Sequence, residues 1–249
     1  MDPLIAEAWH LYHGSEDISC VVRPSIPILY FGDSGQYSRS PLKVITVGLN
    51  PSWAEFPIDD PFKRFPKAQH VYPDILNGSS NSEYLAALND YFRCDPYMGW
   101  FGTLEPLLDG MEAGYRDGRT NVALHTDLFS PLATAPTWSK LTQERSILGL
   151  AGMRLWHRLV RHLAPDVILV SVAQQHLASL DFSPLGCWET IHKIERANPY
   201  RVDAREVEVV PGRKTLIVFG RAAQKPFGMV STTAKREIGQ RVAEYVGGR

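Results

Sequence analysis

Four short runs of apolar and β-branched residues constrain the fold of this chain most strongly. They are KVITV at residues 43–47, NVALH at 121–125, DVILV at 166–170 and KTLIVF at 214–219. None alternates cleanly between apolar and polar residues, which is typical of strands buried on both faces of a parallel sheet. Segments with helical periodicity separate the runs, so the order of the elements predicts an α/β protein.

The chain of 249 residues is long enough for one sizeable core, and we expect a single α/β domain over residues 1–249. The predicted fold is a three-layer sandwich around a central, mostly parallel four-stranded sheet. Two further segments, 190–197 and 205–210, resemble an antiparallel pair inserted before the last parallel strand. In open sheets of this kind ligands bind beyond the carboxyl ends of the strands, so the residues after each run are the candidates for a site.

The first run leads into a Gly-Leu-Asn-Pro-Ser turn at residues 48–52. Gly48 permits a tight turn and close approach of a ligand, and Asn50 presents an amide that both donates and accepts hydrogen bonds. The turn lacks the lysine and the paired glycines of a phosphate-binding loop. Two interpretations remain open, because Asn50 either contacts a ligand or bonds its own backbone within the turn.

Polar and charged residues follow two of the other runs. Thr126 and Asp127 end the second run, where they either read the edge of a ligand or cap the following loop. After the fourth run, Arg221, Lys225 and Phe227 form a cationic loop with an apolar tip. This pattern fits contact with a nucleic-acid backbone and an aromatic wedge in the base stack, and an ordinary solvated loop is the alternative.

Composition excludes several classes of protein. No window of about 18 apolar residues is present, and the acidic first residues lack the basic-then-apolar pattern of a secretion signal. Three widely spaced cysteines fit neither a disulfide framework nor the four ligands of an iron–sulfur cluster. We therefore expect a cytoplasmic, bacterial-type monomer that needs no cofactor or metal and does not bind a membrane.

The order of these motifs resembles that of the uracil-DNA glycosylase superfamily. VGLNPS at residues 47–52 is similar to the Gly-Ile-Asn-Pro-Gly first motif of its mismatch-specific branch, which removes thymine or uracil. Residues 96–129, from PYMGWFGTLEPLLDGM to NVALHTDLF, have the superfamily's layout of an aromatic-Gly segment, a helix and a strand that ends in the base-reading residue. Residues 164–180 are similar to its third strand and following helix. The resemblance extends over residues 41–245.

The resemblance implies roles at the base for several residues of this chain. Asn50 would position the attacking water, and the base pocket would include Gly48, Leu49, Phe56, Tyr97, Phe101, Thr126 and Asp127. Among these, Tyr97 would stack on the extruded base, with Phe56 and Phe101 as substitutes. Thr126 stands where the superfamily usually has an asparagine, and its hydroxyl cannot offer the same paired donor and acceptor to uracil.

The resemblance also implies contacts with DNA. Ser52, Arg221, Lys225 and Phe227 would bind the nucleic acid. Arg221 stands near the position of the His-Pro-Ser or Asn-Pro-Ser motif that this chain lacks. Its guanidinium would either hold a phosphate or stabilise the departing base as an electrostatic substitute.

The implied function is that of a monofunctional DNA glycosylase of base excision repair, bound at the nucleoid. Such an enzyme flips a uracil-type, mismatched or modified base out of the stack and hydrolyses its N-glycosidic bond. Two alternatives remain. One is a non-catalytic nucleic-acid-binding protein of the same fold, because the His-Pro-Ser motif is missing. The other is a hydrolase of free nucleosides or nucleotides, because the net charge is only −1.

Overall fold

The protein is described here by a computed structural model of residues 1–69 and 81–248. In chain order its strands are β1 (Val44–Gly48), β2 (Ala113–Gly114), β3 (Asn121–Val122), β4 (Leu124–Asp127), β5 (Val167–Val170), β6 (Ser183–Pro184), β7 (Glu189–Ile194), β8 (Tyr200–Val210) and β9 (Arg213–Gly220). Seven of these described strands form a mixed sheet in the order β4-β1-β5-β9-β8-β6, with β7 also paired to β8. β2 and β3 pair separately. The predicted α/β class is confirmed.

Three of the four apolar runs form the parallel strands β1, β5 and β9 of the sheet. β1 pairs in parallel with β5, and β5 pairs in parallel with β9. Every residue of β1 and β5 is buried, which explains why these runs do not alternate. The second run is divided between β3 and β4 rather than forming one strand.

The sheet is larger than the four strands expected from the sequence. β8 pairs antiparallel with β9, β7 and β6, so the antiparallel addition belongs to the main sheet. β7 and β8 are antiparallel neighbours as expected, but β7 pairs with residues 200–204, whereas the expected partner segment 205–210 pairs with β9. Burial alternates along much of β8, as it does in a strand with one covered face, and this pattern is harder to recognise in a sequence than a continuous apolar run.

The α-helices that lie wholly within the described residues are α1 (Asp2–His13), α2 (Ser34–Arg39), α3 (Asn81–Asn89), α4 (Met98–Phe101), α5 (Glu105–Asp109), α6 (Gln143–Leu163) and α7 (Thr232–Gly247). Ser231 caps α7, because its hydroxyl accepts a hydrogen bond from the amide of Ala234 at 3.2 Å. Residues 173–180, expected to be α-helical, contain a 3-10 helix at Gln174–Ser179. Within the described ranges, no helix is long and apolar enough to cross a membrane.

Contacts between Cα atoms divide the chain into two compact units. The first contains Met1–Ser34, Gly48–Tyr97 and His125–His162, and the second contains Gly35–Val47, Met98–Leu124 and Leu163–Arg249. An aromatic cluster of Phe31, Phe56, Phe65 and Tyr91 lies in the core of the first unit. The expectation of a single domain over residues 1–249 stays a prediction.

In the second unit, α5 and α7 pack with their backbones in direct contact. A Cβ atom on Gly239 of α7 would overlap the carbonyl oxygen of Leu107 and lie 2.9 Å from the Cα of Gly110. A Cβ on Gly110 would in turn overlap the carbonyl oxygen of Arg236. The two glycines therefore set the distance between the helices.

Replacing Gly239 with alanine should destabilise the protein, because the methyl group meets backbone atoms that cannot rotate away. We expect a loss of about 2 kcal/mol in the free energy of unfolding and a Tm lower by about 4–8 °C, measured by thermal denaturation. Gly247→Ala is the matched control in the same helix, since a Cβ there has open space around it. That variant should be as stable as the parent or gain less than about 1 kcal/mol. Equal losses in both variants would contradict close helix packing.

Candidate functional site

The turn after β1 is held against the segment that follows β4. The amides of Leu128 and Phe129 donate hydrogen bonds to the carbonyl oxygens of Gly48 and Leu49, at 3.0 and 2.9 Å. A Cβ on Gly48 would overlap Oδ1 of Asp127 and lie 3.0 Å from Nε2 of His125. Glycine at position 48 therefore lets a carboxylate and an imidazole reach the backbone at the end of β1.

The side-chain amide of Asn50 is fixed by three acceptors. Its Nδ2 donates to the carbonyl oxygens of Pro51 and Leu132, at 2.8 and 3.3 Å, and to Oγ1 of Thr134 at 2.9 Å. Backbone carbonyls only accept, so the orientation of the amide follows from chemistry. Oδ1 makes no hydrogen bond to the described part of the chain, and no buried oxygen there is left unsatisfied. Oδ1 is therefore a fixed acceptor that is open to water.

Glu55, Tyr91, His125 and Asp127 form what we call the carboxyl cluster of the first unit. Glu55 ends the 3-10 helix Trp53–Glu55 and is only 3% exposed. The hydroxyl of Tyr91 donates to Oε2 of Glu55 at 2.5 Å and accepts a hydrogen bond from the amide of Tyr97 at 2.9 Å. The cluster thus continues to the backbone of a surface residue.

Burial raises the pKa of Glu55 to about 8. The negative charge of Asp127 adds to this rise, whereas the Tyr91 hydroxyl and the Arg64 guanidinium oppose it. Glu55 consequently keeps its proton at neutral pH. A carboxyl group in this state can act as a general acid.

Asp127 and His125 lie side by side on β4. Oδ1 of Asp127 is 3.6 Å from Nε2 of His125, and their side chains are only 4% and 3% exposed. The ring of Phe31 contacts both His125 and Tyr91, with centroid distances of 5.6 and 4.7 Å. An aromatic side chain therefore joins the two halves of the carboxyl cluster.

Three residues expected to contact a base lie in the interior instead. Phe56 is buried and stacks on Phe65 at 5.4 Å. Thr126 is fully buried, and its hydroxyl accepts a hydrogen bond from Nε1 of Trp156 at 3.0 Å. Phe101 is buried with its ring against Tyr115. These side chains fill the cores of their units, so they are not free to line a base pocket in this conformation.

Tyr97, Leu49 and Ser52 remain at or near the surface. The side chain of Tyr97 is 37% exposed, and the guanidinium of Arg64 lies 5.7 Å from its ring centroid. Leu49 and Ser52 are half-buried. The Ser52 hydroxyl accepts a hydrogen bond from the amide of Ala54 and so caps the 3-10 helix. Tyr97 is thus the one aromatic residue of the predicted base site that the structure leaves accessible.

The loop after β9 carries its predicted cations on the surface but not its predicted aromatic tip. Arg221 and Lys225 are exposed and form no ion pair within the described ranges. Phe227 is fully buried, because its ring occupies the space above Gly220 and its amide donates to Oγ of Ser171 at 2.8 Å. Met229 is the exposed apolar residue here. The expectation that Phe227 is an exposed wedge is wrong.

Sequence reasoning missed Glu55, Tyr91 and His125. His125 precedes Asp127 by two positions in β4, and this spacing, which places both side chains on the same face of a strand, was the signal that could have revealed it. Glu55 was recognisable only as an acidic residue among apolar neighbours in WAEF, residues 53–56. Among the residues that the structure describes, no group of three or more His, Cys, Asp or Glu side chains is arranged to hold a metal ion.

The raised pKa of Glu55 predicts a dependence of stability on pH. Between the ordinary pKa of 4.5 and about 8, the folded state binds a proton that the unfolded chain has lost, so stability falls as pH rises. Glu55→Gln replaces the titrating carboxyl group with an amide that stays neutral at every pH. The variant should gain stability relative to the parent by several kcal/mol between about pH 5 and about pH 8, measured by urea unfolding.

Glu83→Gln, which changes an exposed residue of α3, serves as the control and should follow the parent at every pH. Parallel curves for Glu55→Gln and the parent would show that Glu55 is ionised in the folded protein.

No family model matches the chain, and no curated protein matches it. The Gly48 turn, Asn50 and the carboxyl cluster are therefore the features from which a function is inferred.

Proposed function

We propose that the protein hydrolyses the N-glycosidic bond between a base and its sugar in DNA. The observation that carries the proposal is the fixed amide of Asn50, whose free Oδ1 follows β1 in a Gly-x-Asn-Pro turn. The similarity of VGLNPS to the first motif of uracil-DNA glycosylases supports the same role. The parallel pairing of β1, β5 and β9 agrees with a fold of that superfamily, which is also part of the proposal.

The chemistry requires a water molecule in a fixed place and an acceptor for its proton. Oδ1 of Asn50 accepts one hydrogen bond from the water and so orients its lone pair towards C1′ of the sugar. An amide is too weak a base to remove the proton. The carboxylate of Asp127, which lies against the backbone of Gly48, accepts the proton of the water.

The base must leave the stack before this reaction, which costs a few kcal/mol. The exposed ring of Tyr97 offers a face on which an extruded base stacks. Tyr97 is also fixed through its backbone amide, which donates to the hydroxyl of Tyr91. Arg221 and Lys225 of the second unit offer exposed cations to a phosphate backbone.

A cleavage assay tests the proposal directly. Labelled oligonucleotides that carry uracil opposite guanine, uracil opposite adenine, single-stranded uracil, thymine opposite guanine, or hypoxanthine are incubated with the protein and then treated with alkali. We expect strand breaks with at least one substrate. Asn50→Ala should lower the rate by about 10² or more, because the water loses its orientation.

Asn198→Ala is the matched control, because it removes an exposed amide from the loop between β7 and β8. It should cleave like the parent. No breaks with any substrate, together with unchanged DNA affinity in Asn50→Ala, would favour a non-catalytic binding protein. Release of base from free nucleosides, with weak DNA binding that salt does not affect, would favour a nucleoside hydrolase.

Contacts of Arg221 and Lys225 with phosphates predict a salt dependence. Arg221→Ala and Lys225→Ala should each weaken DNA binding and reduce the slope of log K against log salt by about 1, measured by fluorescence anisotropy. Arg154→Ala removes an exposed cation from α6 and should leave the slope unchanged. Equal slopes in all variants would exclude the loop after β9 from the DNA interface.

A further inference from the structure

Glu55 combines deep burial with a defined position. Ser52 caps the 3-10 helix Trp53–Glu55, so Glu55 is tied to the same turn as Asn50. Its Oε2 accepts a hydrogen bond from the hydroxyl of Tyr91 at 2.5 Å. A carboxyl group in such a place is costly to charge, and an apolar side chain of similar volume would fill the space more favourably.

The second oxygen of Glu55 reaches water. Oε1 makes no hydrogen bond to the described part of the chain, and no buried side-chain oxygen there lacks a partner. Oε1 therefore borders a space that a water molecule can enter, although Glu55 as a whole is only 3% exposed. A carboxyl oxygen beside such a space can exchange a proton with a molecule bound there.

The nearby cation does not neutralise Glu55. Arg64 donates from Nε to the carbonyl oxygen of Ala54 at 2.9 Å and forms an ion pair with Asp95 at 3.3 Å. The guanidinium is therefore engaged elsewhere. The other polar neighbours are the Tyr91 hydroxyl, which donates to Glu55, and the Asp127 carboxylate, whose charge opposes ionisation of Glu55.

We propose that Glu55 is the general acid that protonates the departing base, an inference that rests on the proposed function. The bond between C1′ and the base nitrogen breaks, and its electron pair stays with the base. Oε1 of Glu55 gives its proton to the base. The water held by Asn50 bonds to C1′ through its oxygen and gives a proton to Asp127, so the products are a free base and an abasic sugar. Exchange with solvent returns both carboxyl groups to their starting states.

Single-turnover rates of Glu55→Gln across pH test this step on the substrate that the parent cleaves best. The parent should lose rate above about pH 8, as Glu55 ionises. The variant should be slower by about 10² at neutral pH and should lack this alkaline decline. Glu83→Gln should behave like the parent at every pH.

Tyr91→Phe provides a second test. If Glu55 had only a structural role, this substitution would not change the pH at which the rate declines. Without the hydroxyl that favours the charged form, the alkaline decline should shift to higher pH while Glu55 still acts. Both variants are tested for folding by circular dichroism. A parent-like rate and alkaline decline in Glu55→Gln would overturn the role of Glu55 and leave the glycosylase proposal intact. No product from the parent with any substrate would overturn both.

Discussion

The backbone of Gly48 and the carboxylate of Asp127 lie so close together that no side chain fits between them. This contact brings ionisable groups from β4 onto the first residue of the turn after β1. The hydrogen bonds from Leu128 and Phe129 to Gly48 and Leu49 maintain the same arrangement along the following backbone. Asn50 and the 3-10 helix that ends in Glu55 follow Gly48 and Leu49 directly in the chain. Their positions therefore depend on how the backbone of these two residues is held.

Two carboxyl groups near this turn have different surroundings. Glu55 is buried and accepts a hydrogen bond from a phenolic hydroxyl, whereas Asp127 lies beside an imidazole. The burial of Glu55 raises its pKa, so this carboxyl group keeps its proton at neutral pH. Asn50 differs from both, because its amide does not titrate and can only orient a partner.

The sequence predicted the parallel part of the sheet because burial on both faces leaves a continuous apolar signal in β1, β5 and β9. It predicted antiparallel strands in the region of β7 and β8, but neither their register nor their place in the main sheet, since pairing between distant segments leaves no local pattern. Asn50 could be singled out in the sequence because Gly-x-Asn-Pro is a compact motif. Glu55 and Tyr91 are 36 positions apart, and only the folded chain shows that they share a hydrogen bond. The burial of Thr126 and Phe227 likewise depends on partners that are remote in the sequence.

Phe227 and Gly220 have a consequence for how this chain can vary. The aromatic ring occupies the volume that a side chain at position 220 would need, and the backbone of Phe227 has a left-handed φ of 48°. A larger residue at position 220 is tolerable only if the ring at 227 becomes smaller at the same time. The two positions should therefore covary among related chains, with glycine at 220 wherever an aromatic residue stands at 227.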